Sequence, residues 1–187
     1  MAETTFSIDS FTGNFPGGGA LSSLYQVSAS INSGADPGGV NTGLTKFNFV
    51  CKGANLPTSA LETTEVVFMG RPIKIPLNRA QQDWTTSIYN DEGMEVRFAV
   101  EKWMDMINTH VSNIRTKDKS PINSYTGNLS VTQFRKDGEK AAGTTYTFKK
   151  AWPTTIAEVA LAWDANEIET YDVTWAYAHW TSQNITA

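Results

Sequence analysis

The groups best suited to chemistry are scarce in this 187-residue sequence: one thiol, Cys51, and two imidazoles, His110 and His179. A zinc centre asks for three or four Cys, His or carboxylate ligands at characteristic spacing, and no second His or Cys stands at such a spacing here. Cys51 and a histidine would make a nucleophile pair only if a third group oriented the base, and nothing local supplies one. Cys51 reads instead as a small buried hydrophobe. The run Gly17-Gly18-Gly19 lacks both the preceding strand and the following Lys-Ser or Lys-Thr of a phosphate loop. Asp164, Glu167, Glu169 and Asp172 cluster in the chain, but a glycosidase needs partner carboxylates fixed in a pocket, and clustering in sequence does not supply that. Met94, Met104 and Met106 read as packing residues. Asn128-Leu-Ser and Asn184-Ile-Thr fit a glycosylation acceptor pattern that is frequent by chance. The residue types therefore predict no catalytic residues, no cofactor and no metal ligands.

Charge is more informative than chemistry. The net charge is -4, whereas a chain that grips phosphates is usually basic. The charge is also uneven. Residues 115–150 carry eight basic and three acidic groups, and the chain beyond them carries Glu158, Asp164, Glu167, Glu169 and Asp172 with no Lys or Arg. In an oligomer, one such surface could register against the other. No window approaches the roughly 20 apolar residues of a membrane span, and Met1 to Ser23 lacks the basic start and apolar run of a signal peptide. A single cysteine allows no intramolecular disulfide, which fits synthesis in a reducing cytoplasm.

The elements that must carry these residues are mostly strands. Residues 1–23 are rich in Gly, Ser and Thr, with Phe6, Phe11 and Phe15 among them. They predict a flexible arm whose aromatic rings could dock on a neighbour. Residues 24–182 form one domain and 183–187 a short tail. Tyr25, Val27, Ala29 and Ile31 alternate as a half-buried strand, and Phe47, Phe49 and Cys51 suggest a second that pairs with it across a long 32–42 loop. Residues 65–69 and 72–76 read as extended pieces about a turn at Gly70, with Pro72 and Pro76 placing the latter at a sheet edge. Trp84, Thr86 and Ile88 make another strand. One helix is expected over about 92–109, with Val96, Ala99, Val100, Trp103, Met106 and Ile107 as its apolar stripe and Asn90 or Asp91 as its cap. Beyond it, strands are expected around Leu129 and Val131, and over 145–149 up to an interruption at Trp152-Pro153-Thr154. Another carries Val159, Leu161 and Trp163, and the last Tyr171, Val173, Trp175 and Tyr177. The expected fold class is mainly β: an antiparallel β-sandwich or barrel with one amphipathic α-helix.

Several stretches, taken together and in order, resemble a known family. They are Cys51-Lys-Gly-Ala-Asn-Leu-Pro57, Phe68-Met-Gly-Arg-Pro-Ile-Lys74 and Asp83-Trp84-Thr85 leading to Asn90-Asp-Glu92. The helix end Glu101-Lys-Trp103, Trp152-Pro-Thr154, Glu158-Val-Ala-Leu-Ala-Trp-Asp164 and Glu167-Ile-Glu-Thr-Tyr-Asp-Val173 complete the set. The chain resembles the tail tube proteins of T-even-type contractile-tailed bacteriophages from about Leu24 to Trp180. The resemblance implies a non-enzymatic structural subunit of the virion tail, assembled in the host cytoplasm. Its partners would be itself, in stacked hexameric rings whose strands close an inner barrel, and the tail sheath protein, the baseplate tube-initiation proteins, the tape measure protein and the tail terminator. DNA would pass through the lumen without specific binding.

By the same analogy Asn55, Leu56, Pro57, Glu62 and Arg71 are candidate ring-stacking residues. A lumen that conducts DNA should repel phosphates, so Glu158, Glu167, Glu169 and Asp172 are candidate lumen-facing residues. The arm and the 32–43 loop are longer than in shorter members of the family. Three alternatives remain: a tube subunit of a protein-delivering contractile injection system, a tube-initiating baseplate paralogue, and a carbohydrate-binding sandwich suggested by six tryptophans. Trp103, Trp163 and Trp175 fall on expected buried faces, which weighs against the last.

Overall fold

The computed structural model describes residues 8–32, 39–115 and 121–183. Its strands are β1 (Tyr25–Ile31), β2 (Cys51–Ala54), β3 (Ala60–Phe68), β4 (Arg71–Ala80), β5 (Trp84–Tyr89), β6 (Gly127–Phe134), β7 (Lys140–Ile156), β8 (Thr170–Ala176) and β9 (His179–Ser182). Its helices are α1 (Ile8–Asn14), α2 (Val40–Leu44), α3 (Phe47–Val50) and α4 (Glu95–Ile107). All strand pairs are antiparallel. β1, β6, β7, β8, β5 and β2 lie side by side in that order, and β9 joins β7 on the half nearer its start. β3 and β4 pair only with each other. The expectation of a mainly antiparallel β fold with an amphipathic helix holds.

β7 explains the architecture. It runs for 17 residues, longer than most strands, and serves two sheets in turn. Residues 140–151 pair with β6 and β9, and residues 152–156 pair with β8. Between the two regimes Lys150 adopts a left-handed backbone, with φ 53°. The sequence reading broke this strand at Trp152-Pro153-Thr154. In the fold the chain stays extended, because the missing N–H of Pro153 falls beside a register shift between Pro153 and Thr155, where a ladder tolerates it.

The two sheets and α4 enclose one aromatic core. Val27, Leu129, Val131 and Phe148 come from one sheet, Trp84, Ile88, Val173 and Trp175 from the other, and Val96, Ala99, Val100 and Trp103 from α4. Trp84 stacks on Phe148 with centroids 4.4 Å apart, and Trp103 meets Trp175 at 5.6 Å. Each buried indole N–H finds an acceptor: Trp103 Nε1 donates to the Tyr125 carbonyl at 2.7 Å and Trp175 Nε1 to Thr86 Oγ1 at 2.9 Å. Satisfying these donors is what allows such large rings to be fully buried. α4 starts three residues later than expected, after Met94 in a left-handed conformation. The Asp91 carboxylate still serves its first turn by accepting from Glu95 N–H at 3.1 Å.

Other expectations fail for identifiable reasons. The segment around Phe47 is not the partner of β1, which pairs instead with β6. It is helical, because Val40, Leu44 and Phe47 recur at helical spacing and all three are buried, whereas Phe49 is 84 % exposed. Gly43 lets α2 lie close on α4; a Cβ there would come within 2.7 Å of Ala99 Cβ. The expected 32–42 loop lies partly outside the described residues, and α2 begins at Val40. The two extended pieces about Gly70 are one long hairpin with left-handed Met69 and Gly70 at its tip. Val159, Leu161 and Trp163 lie in no strand. Residues 157–169 connect β7 to β8 with no ladder partner, and Leu161 and Trp163 stand fully in solvent. Alternation predicts a strand only where a neighbour exists to pair with it. Of the 1–23 arm, residues 8–14 are helical and 16–18 form a tight turn; Phe6 lies outside the described residues.

Gly127 sits where β6 meets the core. A Cβ there would lie 2.2 Å from the Ser30 carbonyl oxygen and 2.8 Å from the Trp103 ring. Gly127→Ala should therefore destabilise the domain by about 1–3 kcal/mol through overpacking, read as a lower urea midpoint. Gly138→Ala meets no neighbour and should cost about 1 kcal/mol, from its positive φ alone.

Candidate assembly surfaces

The hairpin of β3 and β4 leaves the body at a fixed stem. Trp84 Nε1 donates to the Asn55 carbonyl at 2.6 Å and Trp180 Nε1 to the Thr58 carbonyl at 3.2 Å, and Arg79 reaches Ser59 at 2.7 Å. Beyond the stem the hairpin is amphipathic. In its register Val66 faces Ile73, Thr64 faces Ile75 and Phe68 faces Arg71, so with Leu77 they form one apolar face. Glu65 and Lys74 sit on the other at 4.0 Å, beside the Val67–Pro72 and Thr63–Pro76 pairs. Phe68 is 63 % exposed and Val66 and Ile73 each 48 %. Among the described residues the apolar face has no cover.

The sequence-predicted stacking residues fall along this one device. Asn55, Leu56 and Pro57 form the stem, Glu62 lies at the register shift near the base of β3, and Arg71 opens β4 at the tip. They are strung over the hairpin rather than gathered in a patch. The residues that reasoning from sequence missed are the apolar ones, Val66, Phe68, Ile73, Ile75 and Leu77. Their signal was available: apolar residues at alternate positions on both sides of a Gly turn, in pieces marked as edge strands by proline.

The predicted lumen residues separate into two groups. Asp172 is exposed on the outer face of the β7–β8–β5 sheet, opposite Ser87, with the neighbouring row formed by Thr155, Thr174 and Thr85. That face carries threonine and serine hydroxyls, the Asp172 carboxylate and, toward Thr170, Tyr89 with the Lys52 ammonium 5.4 Å from its ring centre. Glu158, Glu167 and Glu169 belong to the 157–169 loop. Glu158 and Glu167 are exposed, while Glu169 is half-buried and accepts from Asn90 Nδ2 at 2.7 Å. The roots of this loop are pinned: Asn90 N–H donates to the Glu169 carbonyl at 2.9 Å, and Arg97 reaches the Ala157 carbonyl while lying 5.2 Å from the Tyr171 ring centre. Its middle carries Leu161, Trp163 and Ile168 outward.

Among the described residues no group of three or more His, Cys, Asp or Glu is arranged to hold a metal. Burial pushes the Cys51 thiol up to about 11 and the Tyr171 phenol up to about 12, the latter in spite of the Arg97 guanidinium. These are groups kept neutral, unlike an activated nucleophile.

Among the described residues the mainly β domain presents a standing amphipathic hairpin and a second exposed apolar loop. Comparison with known proteins gives the family. A family model described as phage tail tube protein matches residues 5–183. The chain is 33 % identical over 135 residues to tail tube protein gp19 of Enterobacteria phage T4, covering 72 % of this chain and 80 % of that one, and equally to gp19 of Enterobacteria phage T6. The chain belongs to the phage tail tube protein family. Solved structures share its fold at low identity. A chain of the sheath–tube complex of an extracellular contractile injection system, PVC, in the extended state aligns with TM-score 0.61 and 13 % identity over 95 % of this chain and 97 % of that one. A chain of the tube-terminating cap of the anti-feeding prophage aligns with TM-score 0.63 and 16 % identity over 98 % and 99 %.

The two raised pKa values fix a pH dependence. Both groups hold their protons more tightly folded than unfolded. The stability this confers is complete below their ordinary values, about 9 for the thiol and about 10 for the phenol. It is lost as pH rises through about 11 and 12. Urea midpoints should be level from pH 7 to 8.5 and fall by pH 11, with Cys51→Ala removing the earlier part of the fall. Midpoints unchanged across that range would contradict the burial argument.

Proposed function

We propose that this chain is the repeating subunit of a contractile-phage tail tube, in which six copies form a ring and rings stack around a lumen that conducts DNA. The carrying observation is the uncovered apolar face of the β3–β4 hairpin. An isolated two-stranded hairpin is marginal in water, and this one leaves Val66, Phe68, Ile73, Ile75 and Leu77 exposed on one face. A subunit that makes such a hairpin, on a stem fixed by two indole hydrogen bonds, gains from it when another copy covers it. The 33 % identity to phage tube proteins supports a phage tail over a protein-delivering machine; the injection-system likenesses bear on the fold.

In this reading Asn55, Leu56, Pro57, Glu62 and Arg71 set the angle and reach of the hairpin toward the next ring. The hydroxyl face with Asp172 lines the lumen, and Glu158 and Glu167 add negative charge at its rim. Glu169 holds the rim loop in place through Asn90. Hydroxyls and carboxylates do not neutralise phosphates as Lys and Arg do, so they release no counterions from DNA and hold it weakly. The sheath, the tape measure protein, the baseplate initiation proteins and the terminator are the partners this role implies, in a virion tail assembled in the host cytoplasm.

Electron microscopy of the purified protein at rising concentration should show rings and hollow tubes of even width. Val66→Asp or Ile73→Asp should leave a folded monomer, with wild-type circular dichroism, that no longer assembles. Tubes from either variant would overturn the role given to the hairpin. In a reconstituted phage, Asp172→Lys with Glu167→Lys should slow DNA ejection at low salt and less so at high salt; unchanged ejection would remove the lumen assignment.

A further inference from the structure

The 157–169 loop spends apolar surface on solvent. Trp163 is fully exposed, Leu161 is 79 % and Ile168 72 % exposed, although the loop roots are pinned to α4 and β5. Around Trp163 stand Glu158, Asp164, Glu167 and Glu169, with no cation in the loop. At the other end of β7 lies the turn from β6, with Arg135, Lys136 and Lys140 against Asp137 and Glu139. This turn also holds the N-terminal arm: Lys136 Nζ donates to the Gly17 carbonyl at 2.6 Å, and Gln133 Nε2 to that of Leu21 at 3.4 Å. Between arm and turn is a cavity of about 430 Å³, walled by Phe134, Arg135, Lys136, Gly17 and Gly19.

We propose that Trp163 of one copy of this chain inserts into the Phe134–Lys136 cavity of a second copy, joining the two head to tail. The inference rests on the tube reading and assigns it a particular axial contact. Three observations carry it. The cavity has room for an indole, and its wall offers the Phe134 ring, the Arg135 guanidinium and Lys136, whose ammonium already donates to the Gly17 carbonyl, with the single carboxylate of Asp137 beside them. The loop presents three exposed carboxylates, Glu158, Asp164 and Glu167, to a turn with one excess positive charge, so the contact is electrostatically ordered.

The geometry also prevents a chain from satisfying itself. Loop and turn sit at opposite ends of a 17-residue strand. At about 3.3 Å per residue, a strand of this length keeps its two ends tens of ångströms apart. A contact between two different patches at opposite ends is heterologous. It repeats along an axis instead of closing a two-fold dimer. The hairpin stem is tied through Trp180 to β9, which pairs with residues 146–149, the half of β7 that runs to the basic turn.

The test is cross-linking in a Cys51→Ala background, which removes the native thiol. Ala162→Cys and Asp137→Cys, combined in one chain that keeps Trp163, should give a disulfide ladder of more than two copies when assembled protein is oxidised. Each single-cysteine variant should give no more than dimers. A parallel measurement uses Trp163→Ala, which should raise the concentration needed for stacked tubes about tenfold or more while single rings persist, with Trp163→Phe recovering most of the loss. Rings or tubes without a ladder, or Trp163→Ala tubes at the wild-type concentration, would overturn the proposal and leave the tube reading standing. If the unsubstituted protein gave neither rings nor tubes, the tube reading would fall and the proposal with it.

Discussion

One strand holds the domain together because it belongs to both halves of it. β7 gives its first residues to β6 and β9 and its last to β8, so neither sheet can form its final register without fixing the other. The crossing is made affordable by a left-handed Lys150 and by a bulge that takes up Pro153. Over the crossing lies the aromatic cluster of Trp84, Phe148, Trp103 and Trp175, which ties α4 to both sheets. Shared strand and shared core make a rigid body, and a rigid body is what positions the projecting parts.

Those projecting parts are the opposite of the core in physical character. Burying an apolar side chain is worth about 1.5–3 kcal/mol, and the hairpin and the 157–169 loop forgo that gain within the chain. Their roots are nevertheless held by hydrogen bonds, through Trp84, Trp180, Asn90 and Arg97. Fixed roots lower the entropy lost on docking. A subunit that must join identical copies over a long assembly benefits from presenting its apolar surface already oriented.

Much of this was legible from sequence. Strands that are half buried announce themselves by alternation, and β1, β5, β6 and β8 were found that way. α4 was found because its apolar stripe is long and regular. The failures came where a pattern was short or ambiguous. Phe47, Phe49 and Cys51 alternate as a strand does, while Val40, Leu44 and Phe47 recur as a helix does, and only burial decides between them. At Trp163 the apolar alternation was real but served a surface, since the same residues suit a buried strand and an interface.

The sequence by itself determined the class of the protein. Period-two apolar patterning, a single amphipathic helix, a dearth of thiol and imidazole groups and an ordered set of motifs are all local properties of the chain. It also placed the acidic and basic stretches, because charge is read residue by residue. Only the tertiary structure decided which apolar residues go uncovered, that the two extended pieces about Gly70 are one hairpin with a single apolar face, and that acidic loop and basic turn lie at opposite ends of one strand. These are facts about pairing partners and burial. They depend on residues far apart in the chain meeting in space, and no local pattern encodes which of several possible partners will be there.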